Sequence, residues 1–185
     1  MSLGLSAVLA TTMPALAADL KDPLSPLAPA KHSLLCFGRD YSSEHLAQHP
    51  RQTTKSVVLT FQQKGRVVTL VLTPRGGAPR QIPASCGWRQ GAGIDTSNRK
   101  IIPAFNKPAG FDCLVSVGNT DEEGGYLLID PAQDSKSLTL FLQSPVSAAD
   151  GKPGQAKPYS LKLDPEDLTF ALTRIDPNAC DAFRR

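Results

Sequence analysis

The sequence predicts an all-β domain, either a barrel or a sandwich, with one short N-terminal helix and two disulfide bonds. Three observations lead to this fold class: apolar and polar residues alternate in several short runs, Gly, Pro and Asp separate those runs, and four cysteines follow an uncharged N-terminal stretch. Period-two runs bounded by turn residues are typical of half-buried strands. Many such runs without long helices indicate an all-β fold. The 185 residues have the length of a single domain.

The N-terminal 17 residues predict a signal peptide. Met1–Ala17 carries no charged side chain and ends in the small-residue pattern Ala15-Leu16-Ala17, after which a signal peptidase would cut. The apolar stretch Leu3–Leu9 is too short to span a bilayer. We therefore expect an exported protein, periplasmic or secreted. The absence of any N-x-S/T glycosylation site favours a bacterial origin.

The rest of the chain divides into a tether and a domain. Residues 18–33 contain three prolines among Asp, Lys, Ser and Ala, and this composition predicts a flexible tether outside the core. Residues 34–185 are expected to form the single β-rich domain. Near its start, Ser42 or Ser43 predicts the N-cap of a short helix that Pro50 ends.

Seven short runs after this helix predict strands. A hairpin is expected around the turn Lys64-Gly65, and a second hairpin across residues 164–167, between the runs 159–163 and 168–172. The apolar positions that define the first hairpin are Val57, Leu59, Phe61, Val68, Leu70 and Leu72. Between the other runs, the stretches 74–108 and 145–158 are rich in Gly and Pro and are expected to be long loops.

The four cysteines predict two structural disulfides. Cys36, Cys86, Cys113 and Cys180 allow three pairings, and none lies in a C-x-x-C spacing that would favour zinc or redox chemistry. We favour the nested pairing, Cys36–Cys180 and Cys86–Cys113, because its outer bond ties the first ordered residues to the last. Closing that long loop would stabilise the fold by about 4–5 kcal/mol in the chain-entropy description.

The composition excludes several function classes. A net charge of +3 is too small to indicate nucleic-acid binding, and no later segment is apolar over the length that a membrane helix requires. The chain has no G-x-S-x-G nucleophile turn, no H-E-x-x-H zinc motif and no Gly-rich phosphate loop. We therefore expect a protein without catalytic activity and without a cofactor.

A basic segment around the single tryptophan, Trp88, is the first candidate site. The segment's basic residues are Arg75, Arg80, Arg89, Arg99, Lys100 and Lys107, and Phe105 is close by in sequence. Guanidinium groups pair with carboxylate or phosphate, and an indole offers a large contact area, so we expect an anionic partner, an envelope protein or another envelope ligand. Two alternatives remain: Trp88 packs beside Cys86 in the core, and the basic side chains only solvate a loop.

A helical histidine pair is the second candidate site. His45 and His49 are spaced i, i+4, so both imidazoles can face one zinc or copper ion, with Glu44 or Asp40 nearby. Only His32 remains to supply a third imidazole, and the alternative is a solvated helix whose Leu46 docks on the barrel.

A third pattern, in residues 119–130, places oxygen ligands at the spacing of a calcium loop. Its first and last ligands differ from those of the motif. We therefore interpret residues 119–130 as a polar hairpin turn.

From these residues we expect an exported binding or inhibitory module. Two other functions remain open, an envelope metal-binding protein that uses His45 and His49, and a structural envelope component. Neither needs catalytic activity.

Overall fold

The computed structural model describes residues 21–27, 34–62, 67–90, 102–116, 124–150 and 157–181. These residues form ten strands, namely β1 (Leu35–Asp40), β2 (Thr54–Gln62), β3 (Val67–Pro74), β4 (Arg80–Gln90), β5 (Ala109–Val115), β6 (Tyr126–Pro131), β7 (Ser137–Leu142), β8 (Val146–Asp150), β9 (Lys157–Leu161) and β10 (Thr169–Ile175). The helices are α1 (Ser43–Gln48), α2 (Pro177–Asp181) and the 3-10 turns Ser25–Leu27 and Pro165–Asp167. In these ranges no helix has the length and apolarity needed to cross a bilayer.

Eight strands close into an antiparallel barrel in the order β1-β2-β3-β4-β5-β6-β7-β10, with β10 pairing back onto β1. The strands β8 and β9 form a hairpin beside the barrel, which joins β4 through the pair Gln81 and Ala149. The predicted all-β class is therefore confirmed. Pairing between β3 and β4 closes the barrel and so selects it over a sandwich.

Apolar side chains at alternate positions fill the barrel. In the first predicted hairpin, Leu59 pairs with Leu70 and Phe61 with Val68, and all four side chains lie in the core. This register confirms the expected face, while the turn Lys64-Gly65 lies outside the described residues. An eight-stranded barrel has an interior just wide enough for side chains to fill. Each fully buried apolar side chain contributes about 1.5–3 kcal/mol.

One end of the barrel is closed by α1 and the 3-10 turn Pro165–Asp167, and we refer to it as the helix end. Ser42 accepts a hydrogen bond from the His45 backbone N–H, which confirms a serine N-cap, and Leu46 packs into the core. The fully buried carboxylate of Asp167 accepts hydrogen bonds from the backbone N–H and hydroxyl of Thr53, at 2.8 and 2.6 Å, and from the N–H of Thr54 at 3.1 Å. These bonds tie the turn to the start of β2.

The opposite end, where β4 finishes and β6 turns into β7, is referred to as the Trp88 end. Residues 21–27, which we name the N-terminal strap, contact it. Leu24 is 2% exposed and belongs to the core, and the Ser135 hydroxyl donates to the Pro23 carbonyl at 2.6 Å. For these seven residues the expectation of a tether outside the core is wrong, because one leucine anchors them. The division into signal peptide, tether and domain stays a prediction.

Both predicted disulfides are present. Cys36–Cys180 joins β1 to α2 on the outside of the barrel, in a small apolar cluster with Val58 and Val71. Cys86–Cys113 joins β4 and β5 at directly paired positions with Cα atoms 4.0 Å apart. The outer bond closes a separation of 144 residues. In the chain-entropy description, this separation corresponds to about 5 kcal/mol.

Two predicted loops and one predicted hairpin are wrong. The stretch 74–108 contains the strand β4, and 145–158 contains β8 and the start of β9. Pro83 and Gly87 argued against a strand, but pairing to β3 and β5 on both sides overrides their low propensity. The runs around residues 164–167 do not pair with each other: β9 pairs with β8, and β10 pairs with β7 and β1.

The segment 102–108 docks on the outer face of the barrel and sets the position of the residues that follow it. Phe105 is 2% exposed and meets the Phe141 ring edge-to-face, with centroids 5.4 Å apart. Gly110 permits this contact, since a Cβ there would lie 2.7 Å from the Phe105 ring. Docking of Phe105 thereby brings Lys107 and Pro108 to the Trp88 end.

Candidate functional site

A cleft of about 440 Å³ opens at the Trp88 end of the barrel. Its walls come from β4, β5, β6, β7 and β10 and from the segment before β5. The residues that line it are Trp88, Lys107, Pro108, Ala109, Asp130, Pro131, Ala132, Gln133, Ser137, Leu138, Thr139 and Ala171. Because five barrel strands contribute, the pairing of the barrel fixes the shape of the cleft. We refer to it as the Trp88 cleft.

Trp88 is half-buried and rigidly supported. Its indole meets Phe111, its partner on β5, edge-to-face with ring centroids 5.2 Å apart. Phe111 in turn contacts Phe61 at 5.5 Å within the core. Trp88 therefore combines two of the roles considered from the sequence, because one part of the indole packs on the core while another part lines the cleft.

The outer wall of the cleft is a row of residues on three neighbouring strands. Asp130 on β6 pairs with Thr139 on β7, and Thr139 pairs with Ala171 on β10. The Lys107 ammonium lies 3.4 Å from the Asp130 carboxylate, and their side chains are 47% and 27% exposed. The partial exposure of this ion pair makes its contribution to stability small. Its position at the cleft is therefore of more interest than its energy.

The predicted basic segment does not converge on Trp88 in the described residues. Arg75 lies at the helix end and donates to the Leu46 carbonyl at 2.8 Å and to the His49 carbonyl, which completes the end of α1. Arg80 begins β4, eight residues before Trp88, a separation of roughly 26 Å along the strand. Arg89 follows Trp88 and is exposed, with its side chain on the opposite face of β4.

Among the predicted basic residues, Lys107 is the described one that lines the cleft with Trp88. Arg99 and Lys100 lie outside the described residues. Whether they contribute to binding stays a prediction.

The two histidines stack on each other at the helix end. The ring centroids of His45 and His49 are 4.3 Å apart at an interplanar angle of 22°, and Tyr41 stacks on His45 at 4.8 Å. The lone pair of an imidazole nitrogen lies in the plane of its ring. Because the two rings are stacked and nearly parallel, their lone pairs do not converge on one metal ion. His45 Nε2 instead lies 3.0 Å from the Gln52 side-chain oxygen.

The neighbours of His49 do not complete a metal site in the described ranges. His49 Nδ1 is 3.8 Å from Glu166, whose other oxygen accepts from Arg51 at 3.1 Å. No group of three or more His, Cys, Asp or Glu side chains in these ranges is arranged to hold a metal ion. His32 and the first five residues of the calcium-like pattern, 119–123, lie outside the described residues. Metal binding stays a prediction.

A second cavity, of about 340 Å³, lies beside the hairpin of β8 and β9. It is lined by Gly124, Gly125, Tyr126, Gln143, Pro145, Val146, Ser147 and Ser160. Trp88 is not part of this lining, and β6 is the one barrel strand that contributes to it, beside the hairpin strands β8 and β9. We therefore regard the Trp88 cleft as the stronger candidate.

Sequence reasoning missed most of the cleft. Gln133, Ser137 and Thr139 are ordinary polar residues around a strand, and their pattern is the same as that of any solvated sheet face. Ile82, Ala84 and Cys86 do alternate inward before Trp88, and this signal identifies β4 despite its Pro and Gly.

Comparisons with known proteins identify no relative: no family model, no curated protein and no solved structure matches this chain significantly.

Proposed function

We propose that this protein is an exported binding module of the periplasm or the cell exterior, and that the Trp88 cleft is its ligand site. The observation that carries the proposal is the position of the chain's single tryptophan, half-buried in a cleft built from five barrel strands. The cleft volume lies within the roughly 300–1,000 Å³ typical of ligand pockets. The proposed activity is binding, because the sequence offers no catalytic motif.

Export is supported by the two disulfides. Disulfide bonds persist in oxidising compartments and are rare where thiols are kept reduced. All four cysteines of the chain are paired. The uncharged N-terminal stretch that ends at Ala17 is the feature that would direct the chain there.

Ligand binding is supported by the rigidity of the cleft. An aromatic ring held by edge-to-face contacts contributes a large contact area and loses little conformational entropy when a ligand binds. Trp88 has this support from Phe111 and the core behind it. The outer row of Asp130, Thr139 and Ala171 lies on paired strands, which likewise hold their side chains in place.

The test is capture of an envelope component by the oxidised chain Ala18–Arg185. We expect a component that binds the parent protein and is lost from Trp88→Ala and from Thr139→Arg, which fills the cleft from its exposed outer wall. Lys162→Ala, an exposed position outside the cleft, is the control and keeps the interaction. Thermal melting of each variant checks its fold. Equal capture by all variants, or loss only from variants that unfold, would contradict the proposed site.

A further inference from the structure

We infer that the ligand of the Trp88 cleft is a neutral saccharide. This inference rests on the proposed function and adds the chemical class of the ligand. Three features of the lining lead to it: the charges of the cleft cancel, its neutral polar side chains both donate and accept hydrogen bonds, and an indole supported from behind forms part of the wall.

The charges of the lining cancel within one ion pair. Lys107 and Asp130 are the charged residues among the twelve that line the cleft, and their ammonium and carboxylate groups are 3.4 Å apart. An ionic ligand would have to displace one of these groups from the other. To a neutral ligand, the Lys107 ammonium can donate hydrogen bonds and the Asp130 carboxylate can accept them.

The neutral polar residues of the lining match hydroxyl groups. Ser137 and Thr139 have hydroxyls that donate one hydrogen bond and accept two, and the Gln133 amide both donates and accepts. A saccharide hydroxyl has the same dual capacity. Ser137 and Thr139 are two residues apart on one strand, and Asp130 is directly opposite Thr139, so all three side chains lie on one face of the β6–β7 pair.

The tryptophan provides an apolar surface for the ring of the sugar. The face of an indole carries negative charge density, which attracts the weakly polarised C–H groups of a sugar ring. Pro108, Ala109 and Pro131 continue this apolar surface without long side chains. Leu138 adds one more apolar group, but the polar residues interrupt the lining, and this mixture is unfavourable for the continuous apolar chain of a lipid.

The experiment uses Trp88 as its own reporter, because it is the only tryptophan in the chain. Its emission is followed while the oxidised protein is titrated with maltotriose, cellotriose and triacetylchitotriose, at low and at high salt. We expect a saturable change for at least one of these neutral probes, with an affinity that salt does not change. Thr139→Val should weaken it about tenfold, as the loss of one hydrogen bond does.

Thr169→Val is the matched control. Thr169 is an exposed residue on the outer face of β10, two positions from Ala171, and it does not line the cleft. This variant should bind as the parent does. Equal weakening by both substitutions would overturn the assigned wall.

The outcomes separate the ligand class from the site. If no neutral probe binds, while an envelope component is still captured through Trp88 and Thr139, the saccharide inference is wrong and the binding site stands. The saccharide inference is likewise wrong, and the binding site stands, if the Trp88 cleft binds a polyanion such as a heparin fragment, or a peptide, and none of the neutral sugars. If the cleft substitutions weaken the binding of neither sugars nor envelope components, the proposed function is wrong as well.

Discussion

The two ends of the barrel are closed in different ways. At the helix end, Asp167 receives three hydrogen bonds inside the protein, and Arg75 donates to carbonyls at the end of α1. At the Trp88 end, the N-terminal strap inserts a single leucine, Leu24, and bonds to the rest of the barrel through the Ser135 hydroxyl. Within the part of the chain that the structure describes, buried polar contacts thus close the helix end, and a leucine and one hydroxyl hold the strap.

This difference suggests how stability and binding divide between the ends. Opening the helix end breaks the three hydrogen bonds to the Asp167 carboxylate, and each hydrogen bond of this kind contributes about 1.5–3 kcal/mol. Undocking the strap exposes Leu24 and the half-buried Leu27 and breaks the hydrogen bond from the Ser135 hydroxyl. Segments with few buried contacts open at lower free energy, and ligand sites are commonly built beside them. We therefore expect the helix end to contribute more to the global stability and the strap to open at lower free energy, while the paired strands that line the cleft stay in place.

The largest effect is expected from Asp167→Ala at the helix end. The substitution leaves the backbone N–H groups of Thr53 and Thr54 without their acceptor, and we expect a loss of about 3–5 kcal/mol in the free energy of unfolding. Urea denaturation measures it. The control is Asp164→Ala, which removes the cap of the 3-10 turn and should cost about 1 kcal/mol. Equal losses for the two variants would refute the assignment of stability to Asp167.

A smaller effect is expected from Leu24→Ala at the Trp88 end. Full burial of a leucine side chain contributes about 2 kcal/mol, and we expect a loss of about this size in the free energy of unfolding. Limited proteolysis should cut the strap of this variant faster while the barrel stays protected. Leu27→Ala, at a half-buried position in the same turn, should have less effect. A loss larger than that of Asp167→Ala would reverse the ranking of the two ends.

The smallest effect concerns pH and the strap. Burial raises the pKa of Asp22 above its usual value of 3.8, although the N–H groups of Leu24 and Ser25 oppose this. An acid with a raised folded pKa stabilises the fold fully below its unfolded pKa and loses that contribution as pH rises through the folded pKa.

Asp22→Asn removes this pH dependence and keeps an oxygen that can accept from Leu24. We therefore expect the variant to match the parent near pH 3 and to be more stable at pH 7. The gain should be below about 1 kcal/mol, because Asp22 is half-exposed and solvent screens its charge. Melting temperatures across this range measure it. A variant that is less stable at pH 7 would show that the carboxylate charge supports the strap.

The sequence predicted those parts of the fold that depend on neighbouring residues or on alternation. The period of two in β2 and β3, the serine cap of α1 and the nested disulfide pairing are all present in the structure. The sequence pattern gave wrong predictions where a strand depends on which other strands it pairs with, because the residues of one segment do not specify those partners. Thus the Gly- and Pro-rich composition of 74–108 predicts a loop where β4 lies, and the apolar alternation on both sides of residues 164–167 predicts a hairpin, although β9 pairs with β8 and β10 with β7.

The sequence predicted Trp88 as a residue of the candidate site, but not most of the other residues that line the cleft. Trp88 was singled out as the only tryptophan, and the structure places it in the cleft. Arg75 and Arg80, which are near it in sequence, lie toward the other end of the barrel. Thr139 and Ala171, far from it in sequence, share the cleft with it. A strand extends roughly 3.3 Å per residue, so a few residues of sequence separate side chains by the length of the barrel.

The sequence by itself therefore determined the all-β class, the alternating faces and the cysteines that pair, because each depends on local periodicity or on redox chemistry. Tertiary structure alone decided that β3 pairs with β4, that Leu24 enters the core and that five strands form the Trp88 cleft. These features depend on contacts between residues that are distant in the chain. Such contacts depend on the free energy of closing the whole barrel, and the residues of one segment do not determine that free energy.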